Sequence, residues 1–440
     1  MTDKFRQLMH CGHGRCFNMI KGNEEKLKET VLYGCLNDLS FDIQCEGSRG
    51  CYMYNLALQF ADSGYFLKAA AEKFLADEVN TDWNSIHHLA DFISCFASDG
   101  SAYAEDVLEQ KYAELFKLIM STRAGSVRHS RLLESYEYVS IIVMQLNERP
   151  RMIEILNDMG AYFIRRRRAE DDDLKWQLAW FYTNVKTEYG VDILNELKDD
   201  TLQIRRFKRV MEVDRKLSEV NRESLRTADE IIEKIQDGRL KGGERFRFGV
   251  KAPEDEKIKL ARNVINESDP EKKADLLFMF DSNRNLFPLE HTYLTEYAQS
   301  GNEHLREAAL DAMTHLKSDI VHDFAMELFE REKSVSSVMM LIVNYRPDDK
   351  KILLDFLESL EIDREDKIGW HGIVQTIIDE AGNDIPDEML MFVYEKSMCS
   401  CCREYVLEPM KKRGLITDMI ISECLWDCNE YIREFSEKQG

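Results

Sequence analysis

The hexapeptide Asn302-Glu303-His304-Leu305-Arg306-Glu307 recurs further along the chain as Asn429-Glu430-Tyr431-Ile432-Arg433-Glu434. A partial third copy, Cys402-Arg403-Glu404, precedes the second by 30 residues. The arginines of the three copies are 97 and 30 residues apart, about three units and one unit of a period near 30–33 residues. A period of this length is typical of helical repeats that pack only on their neighbours. We therefore expect an all-α fold, a right-handed α-solenoid of stacked antiparallel helix pairs.

The composition of the whole chain also favours helices. Only 7 of the 440 residues are proline, and none of these lies among the first 149 residues. The hydrophobic fraction of 44% is high enough for packed cores. The 21 glycines suit long helices with short joints better than a strand-and-turn fold.

The formal charge of −22 is concentrated near the C-terminus, where residues 251–440 hold 23 basic and 40 acidic residues. Residues 131–250 are neutral, with 23 of each kind. An acidic region repels phosphate backbones and anionic membrane surfaces, which makes nucleic acid a poor partner. We expect instead another protein with a basic surface, whose binding weakens as the salt concentration rises.

The N-terminal segment and the length of the apolar runs predict where in the cell the protein is located. No apolar run approaches the roughly 18–20 residues of a membrane span, and the N-terminus lacks the apolar core of a signal peptide. We therefore predict no membrane association and a cytoplasmic location, where the 11 cysteines are mostly reduced. The oligomeric state is not indicated by any feature of the sequence.

Composition and joints divide the chain into four predicted regions. These are an N-terminal helical domain with Gly-, Cys-, His- and Arg-containing loops (1–130), a long-helix middle region (131–237), a Gly-rich loop or linker (238–254) and a set of short paired helices (255–440). Thr227 and Glu230 form a capping-box pattern that predicts a helix start. The alternation Arg245-Phe246-Arg247-Phe248 suggests a small hairpin or ordered loop.

The segment NEHLREAALDAM (302–313), followed by SDIVHDFAMELFERE (318–332), resembles a HEAT-type repeat. Residues 399–436 show a weaker likeness of the same kind. The resemblance implies two packed helices per repeat and an arginine near the start of the first, which bonds carbonyls or an acid of a neighbouring repeat. It therefore implies structural roles for Arg306, Arg403 and Arg433, and we expect the stem of Arg306 to be buried.

Unusual polar residues cluster near the N-terminus, in loops that contain glycine. Arginine forks and helix N-terminal amides suit a phosphate or carboxylate, and a histidine could act as acid or base. An enzyme or a small-ligand sensor for a phosphate- or nucleotide-like molecule is therefore one hypothesis. The alternative is that these arginines pair with nearby acids and only hold two loops together. The candidate residues are His13, Arg15, Asp42, Gln44, Glu46, Arg49 and Tyr52.

Cysteine and histidine are grouped at both ends of the chain, which raises the question of a zinc site. The candidate ligands are Cys11, His13 and Cys16 near the N-terminus, and Cys399, Cys401 and Cys402 near the C-terminus. Neither group has the paired Cys-x-x-Cys spacing of a standard zinc site. We therefore predict no metal and no other cofactor.

Two basic groups lie in the neutral middle region, at 165–168 and 205–209. They could form one nucleic-acid-binding patch, or they could be solvated helix ends, which the overall acidity favours. The sequence contains no GxxxxGK[ST], HExxH or GxSxG motif. The leading prediction is therefore a non-catalytic helical-repeat scaffold or adaptor that binds a protein partner through an acidic surface.

Overall fold

The computed structural model of the protein describes residues 2–77, 83–146, 149–166, 197–198, 200–212, 227–282, 284–360 and 367–439. Within these ranges every regular element is a helix and no β-strand occurs. The all-α prediction is thus confirmed. No helix in the described ranges is both long and apolar enough to cross a membrane.

The chain divides into two compact units, of which the first combines its two ends. This unit comprises Met1–Asn221, Met398–Cys401 and Thr417–Gly440. Its helices are α1 (Thr2–Cys11), α2 (Arg15–Ile20), α3 (Glu24–Leu36), α4 (Ile43–Glu46), α5 (Gly50–Ala57), α6 (Ser63–Ala76), α7 (Trp83–Ser98), α8 (Ala102–Ser121), α9 (Val127–Leu146), α10 (Arg149–Arg165), α11 (Leu202–Glu212), α24 (Asp418–Cys424) and α25 (Glu430–Glu437).

Helix α7 lies at the centre of the first unit, in contact with α3, α5, α6, α8 and α9. Its apolar residues recur at helical spacing, and Ile86, Leu89, Phe92 and Ile93 are all fully buried. Helix α10 packs on α11. The spacing of apolar residues in the sequence predicts a buried face for α11, and Ile204, Phe207 and Met211 of that face are buried. The remaining predicted member of that face, Val220, lies outside the described residues.

The second unit comprises Arg222–Ser397 and Cys402–Ile416. Its helices are α12 (Ala228–Gln236), α13 (Gly242–Lys251), α14 (Glu254–Asn266), α15 (Pro270–Leu277), α16 (Thr292–Tyr297), α17 (Glu303–Met313), α18 (Asp319–Glu332), α19 (Val335–Val343), α20 (Lys350–Ser359), α21 (Lys367–Asp379), α22 (Asp387–Lys396) and α23 (Ser400–Lys412), together with 3₁₀ turns at Phe278–Phe280 and Pro347–Asp349. From α14 to α22, helices pack on the following helix or on the next but one.

Helix starts in both units follow the capping chemistry expected from their local sequence, including Asp269 before Pro270. Thr227 and Glu230 form both bonds of a capping box at α12, and Asp269 caps α15 directly before Pro270. The repeated hexapeptide is also a helix start. Asn302 accepts from the backbone N–H of Leu305 at 2.8 Å, and Asn429 caps α25 in the same way.

The helical spacing of apolar residues predicts one buried stripe on α17 and another on α18 that begins at Ile320, and the structure largely matches both. Leu305, Ala308, Ala309, Ala312 and Leu316 are buried, as are Phe324, Leu328 and Phe329. Ile320 is the exception, because its side chain is 41% exposed. The apolar face of α18 is centred on positions 321, 324–325 and 328–329, which turns position 320 towards solvent.

Three predicted region boundaries are wrong. The boundary after residue 130 falls inside α9, and the predicted loop at 238–254 contains helix α13. The region 255–440 is not a single unit either, because Thr417–Gly440 belongs to the first unit. In each case tertiary packing outweighs a local signal such as a glycine or a change of composition.

The Arg-Phe alternation at 245–248 lies within helix α13 and forms no hairpin. Phe248 is 1% exposed and Phe246 is 54% exposed, so one phenylalanine anchors the helix while the other faces outwards. Glu244 supports the helix start, since its carboxylate accepts from the backbone N–H of Lys241 at 3.3 Å and pairs with Lys234. These contacts offset the cost of glycine at the helix start.

Asp91 of α7 links three parts of the first unit. Its carboxylate accepts from the Tyr138 hydroxyl at 2.7 Å and from the hydroxyl of Ser48. Burial raises the pKa of Asp91 from its usual 3.8 to about 6, although both hydroxyl bonds act in the opposite direction. The folded state therefore holds this proton over a pH range in which the unfolded chain has lost it.

Replacing Asp91 with Asn should remove a pH-dependent loss of stability. A raised carboxyl pKa makes the wild type lose stability as pH rises from about 4 to about 6, by about 1–2 kcal/mol for this half-buried group. The free energy of unfolding of Asp91→Asn, measured in urea at several pH values, should lack that loss. Asp3→Asn, at a side chain 94% exposed, is the control and should follow the wild type. Parallel curves for wild type and Asp91→Asn would contradict the assignment.

Candidate functional site

Glu46 and Arg49 form the buried centre of the predicted N-terminal cluster, with side chains 0% and 1% exposed. Glu46 Oε1 accepts from Arg49 Nη2 at 2.9 Å and from the backbone N–H of Ser400 at 2.5 Å. Glu46 Oε2 accepts from the backbone N–H groups of Phe41 and Asp42 at 2.8 and 3.1 Å. Four donors therefore satisfy one buried carboxylate.

The second contact of the cluster joins Arg49 to the C-terminal segment. Its guanidinium contacts the Cys428 thiol and donates to the Met398 carbonyl at 3.5 Å. The backbone N–H of Cys428 donates to the Gly12 carbonyl at 2.9 Å. Gly12 has a φ of +68°, and a Cβ there would lie 2.7 Å from Cys428 Cβ. Glycine is required at this position by both its dihedral angle and the close approach.

Arg15 forms a bidentate ion pair with Glu423, whose side chain is 1% exposed. Arg15 Nε and Nη2 donate to Glu423 Oε1 and Oε2 at 2.6 and 3.0 Å. The neighbouring Gly14 allows this approach, because a Cβ there would lie 1.8 Å from the Glu423 carbonyl oxygen. Planar fork geometry of this kind is the strong form of a charged hydrogen bond.

His13 and Tyr52 complete the contacts inside the cluster. The Tyr52 hydroxyl donates to the His13 carbonyl at 2.9 Å, and His13 Nδ1 accepts from the Arg15 backbone N–H at 3.2 Å. Burial raises the pKa of Tyr52 well above its usual value, so this hydroxyl remains a donor. Phe17 stacks on Trp426 with ring centroids 4.7 Å apart.

The predicted ligand residues are thus brought together, but mainly by bonds to one another and to the C-terminal segment. Asp42 is exposed and its carboxylate accepts from the Cys45 thiol at 3.3 Å, while the side chain of Gln44 lies outside the described residues. Glu46 and Arg49 are too buried to meet a solvent-borne ligand. The geometry favours the alternative that the sequence left open, in which the cluster holds chain segments together.

The C-terminal partners of the cluster were not predicted, because Arg15 and Glu423 are separated by 408 positions. The glycines next to Arg15 and Arg49 indicated a close backbone approach, but not which segment approaches. The i, i+4 spacing of Cys424 and Cys428 predicts that they share one helical face, but α24 ends at Cys424 and Cys428 lies in the turn before α25.

The Arg15–Glu423 pair should be strongly coupled in a double-mutant cycle. Arg15→Gln leaves a buried carboxylate without its cation, which should cost about 3–5 kcal/mol of unfolding free energy. The double variant Arg15→Gln/Glu423→Gln should cost less than the sum of the single variants, with a coupling of about 1–3 kcal/mol in urea unfolding.

The control for this cycle is the exposed Arg6–Asp3 pair, with side chains 55% and 94% exposed and charged atoms 3.6 Å apart. Arg6→Gln should change the unfolding free energy by less than about 0.5 kcal/mol. Equal effects of Arg6→Gln and Arg15→Gln would argue against a buried structural role for Glu423.

The cysteine groups do not form a recognisable metal centre. Cys11, Cys16, Cys399 and Cys402 are buried and Cys401 is half-buried. The Cys16 thiol lies 3.8 Å from the Phe5 carbonyl, and the Cys402 sulfur lies 3.9 Å from His371 Nδ1. Among the described residues, no group of three or more His, Cys, Asp or Glu side chains is arranged to hold an ion.

The three repeat arginines have two different environments. Arg403 is fully buried and donates to the Ser397 carbonyl at 3.0 Å. Arg433 donates to the carbonyls of Asp427 and Cys428 at 2.8 and 3.0 Å. Both therefore bond the chain just before their own helix. Arg306 differs from both, because its side chain is 40% exposed and its guanidinium lies 3.8 Å from Glu303 of the same helix.

Alanine substitutions should separate these two environments. Arg403→Ala removes the buried donor to the Ser397 carbonyl and should lower the unfolding free energy by about 2–4 kcal/mol. Arg306→Ala should change it by no more than about 0.5 kcal/mol, because a surface ion pair contributes little. Hydrogen exchange should accelerate around 397–412 in the first variant only. Similar losses in both variants would contradict the distinction.

Some basic residues of the middle region form hydrogen bonds within the first unit. Arg166 donates to the carbonyls of Ile119 and Thr122 at 3.0 and 2.9 Å, with its guanidinium 5.4 Å from the Tyr162 ring. Arg167 and Arg168 lie outside the described residues. On α11, Arg205 and Arg209 are exposed, whereas Lys208 donates to the Leu197 carbonyl at 3.3 Å. Because Arg166 and Lys208 already bond to carbonyls of the protein, the case for a continuous nucleic-acid-binding patch is weaker.

Helices α17 and α18 of the second unit each expose a row of carboxylates one turn apart. The exposed acids are Glu303, Glu307 and Asp311 on α17 and Asp319, Asp323, Glu327 and Glu330 on α18. They occupy the faces opposite the buried apolar stripes. These two acidic rows are the candidate interaction surface.

Comparisons of the chain with protein-family models, curated proteins and solved structures found no match.

Proposed function

We propose that the second unit is a HEAT-like stack of helix pairs that acts as a non-catalytic scaffold, with the acidic rows of α17 and α18 as its binding surface for a basic protein. The observation that carries the proposal is the spacing of the exposed acids, which recur every four residues on both helices, except that Glu330 follows Glu327 by three. Successive helices pack in pairs, with α17 on α16 and α18 on α19, which supports a stack of helix pairs, although the resemblance implied that α17 and α18 pair with each other.

Like charges one turn apart are unfavourable in the free protein, by a few tenths of a kcal/mol for each pair. Arg346 relieves part of this repulsion, since it donates to Asp319 at 2.6 Å and to Asp323 at 3.2 Å. Although the Asp311 side chain reaches solvent, partial desolvation by the surrounding protein atoms and the charge of Glu307 raise its pKa, while Arg245 acts in the opposite direction. A basic partner would relieve the remaining repulsion, so its binding is favoured beyond the direct contacts.

The spacing also suits a protein ligand. Carboxylates four residues apart along a helix are about 6 Å apart along the axis, which matches lysines or arginines at the same spacing on a partner helix. Polyanions such as nucleic acid are repelled by the same rows. The rows therefore select for a basic protein surface and set a strong dependence on salt.

A basic helical peptide can serve as a defined probe of the acidic rows. Glu307→Gln/Glu327→Gln/Glu330→Gln removes three charges but leaves the Arg346 contacts intact. Three lost contacts of about 0.5 kcal/mol each should weaken binding of a fluorescein-labelled, lysine-rich helical 20-mer about tenfold at low salt. Fluorescence anisotropy at low and physiological salt measures both the loss and its screening.

The matched control removes three exposed acids from the first unit, as Glu25→Gln/Glu105→Gln/Asp106→Asn. It changes the net charge equally and should weaken peptide binding by less than about threefold, since only long-range attraction is reduced. Equal losses in the two triple variants would show that net charge alone attracts the peptide, which would refute the acidic rows as a binding surface.

A further inference from the structure

A pocket of about 390 Å³ lies in the second unit between helix α13 and the segment after the 3₁₀ turn Phe278–Phe280. Helix α13 contributes the face that carries Gly242, Arg245, Phe246 and Gly249. The opposite wall includes Met279, Asp281, Arg284 and Asn285. The sequence alone predicted a loop or linker here, so this pocket was not among the predicted sites.

Asn285 supplies an unused hydrogen-bond acceptor in the wall of the pocket. The residue is 1% exposed, and its Nδ2 donates to the Met279 carbonyl at 2.6 Å, which fixes the orientation of the amide. Its Oδ1 has no hydrogen-bond partner within the described part of the chain. A buried carbonyl oxygen without a donor is unfavourable, so a ligand with an N–H group would gain affinity by reaching it.

The charges of the wall favour an anion, although the surrounding unit is acidic. Arg245 and Arg284 face a single acid, Asp281, with which Arg245 is paired. Arg284 is exposed, and its guanidinium lies 4.6 Å from the centre of the Phe246 ring. This arrangement leaves the guanidinium edge of Arg284 able to donate to a phosphate or carboxylate.

Phe246 and two glycines shape the space for a flat group. The Phe246 side chain is 54% exposed although it lines the pocket, which suits stacking by a planar ligand. Gly242 leaves open space where a side chain would begin, and its amide belongs to the first turn of α13, where N–H groups lack intrahelical acceptors. Gly249 allows close packing, because a Cβ there would lie 3.2 Å from Asn285 Cβ.

We propose that this pocket binds a nucleoside monophosphate. The phosphate is held by Arg284 and the first-turn amides of α13, the base stacks on Phe246, and an N–H of the base donates to Asn285 Oδ1. This class of molecule combines an anionic group, a planar ring and an N–H donor. The site lies outside the acidic rows, and binding there does not require the proposed scaffold function.

The test titrates the full-length protein by calorimetry with each of the four ribonucleoside 5′-monophosphates, with adenosine and with inorganic phosphate. At least one monophosphate should bind with a Kd below about 1 mM, and at least tenfold more tightly than adenosine or phosphate alone. If none of the four binds, or if phosphate or adenosine binds equally well, the proposal is overturned.

Two variants of exposed residues locate the site without disturbing the core. Arg284→Gln and Phe246→Ala should each weaken binding of that monophosphate about tenfold or more, by loss of the phosphate contact and of the stacking contact. Arg247→Gln makes the same charge change on exposed α13 surface outside the pocket and should alter the Kd less than twofold. Equal losses in Arg284→Gln and Arg247→Gln would place binding elsewhere and refute the assignment.

Discussion

Burying a carboxylate costs several kcal/mol unless a cation and further donors accompany it. The first unit buries Glu46 and Glu423, and both have an arginine partner. Arg15 and Glu423 come from opposite ends of the chain, and the donors to Glu46 include the N–H of Ser400. The packing of the N-terminal helices therefore depends on residues several hundred positions further along the chain.

This dependence constrains how the first unit can form. Until Met398–Cys401 and Thr417–Gly440 are present, the Glu46 carboxylate lacks one donor and Arg15 lacks its carboxylate. The glycines at 12 and 14 serve the same contact, because any side chain there would block the C-terminal segment. The residues of the N-terminal cluster bond mainly to one another and to the C-terminal segment, so that these buried polar groups favour one pairing of segments.

Local features of the fold were predictable, and long-range ones were not. The capping box at Thr227, the Pro270 helix start and the apolar stripe of α17 depend on residues a few positions apart, and their geometry is fixed by the helix itself. Helix α13 was not predicted, because the two glycines at its start indicate a loop. The contacts of Phe248 and Glu244 that stabilise the helix are visible only in the structure. The partners of Arg15 and Arg49 were missed because no periodicity connects positions hundreds of residues apart.

The two proposed surfaces of the second unit are electrostatically linked through Arg245. This residue lines the pocket, pairs with Asp281 and lowers the pKa of Asp311, which belongs to the acidic row of α17. An anion bound in the pocket carries a charge opposite to that of Arg245. The anion would therefore offset part of the effect of Arg245 on Asp311. The acidic row would then attract a basic partner more strongly. By thermodynamic reciprocity, the same partner would strengthen binding of the anion by an equal factor. The sign of this coupling is set by charge alone, and its size falls with salt because both surfaces are open to solvent.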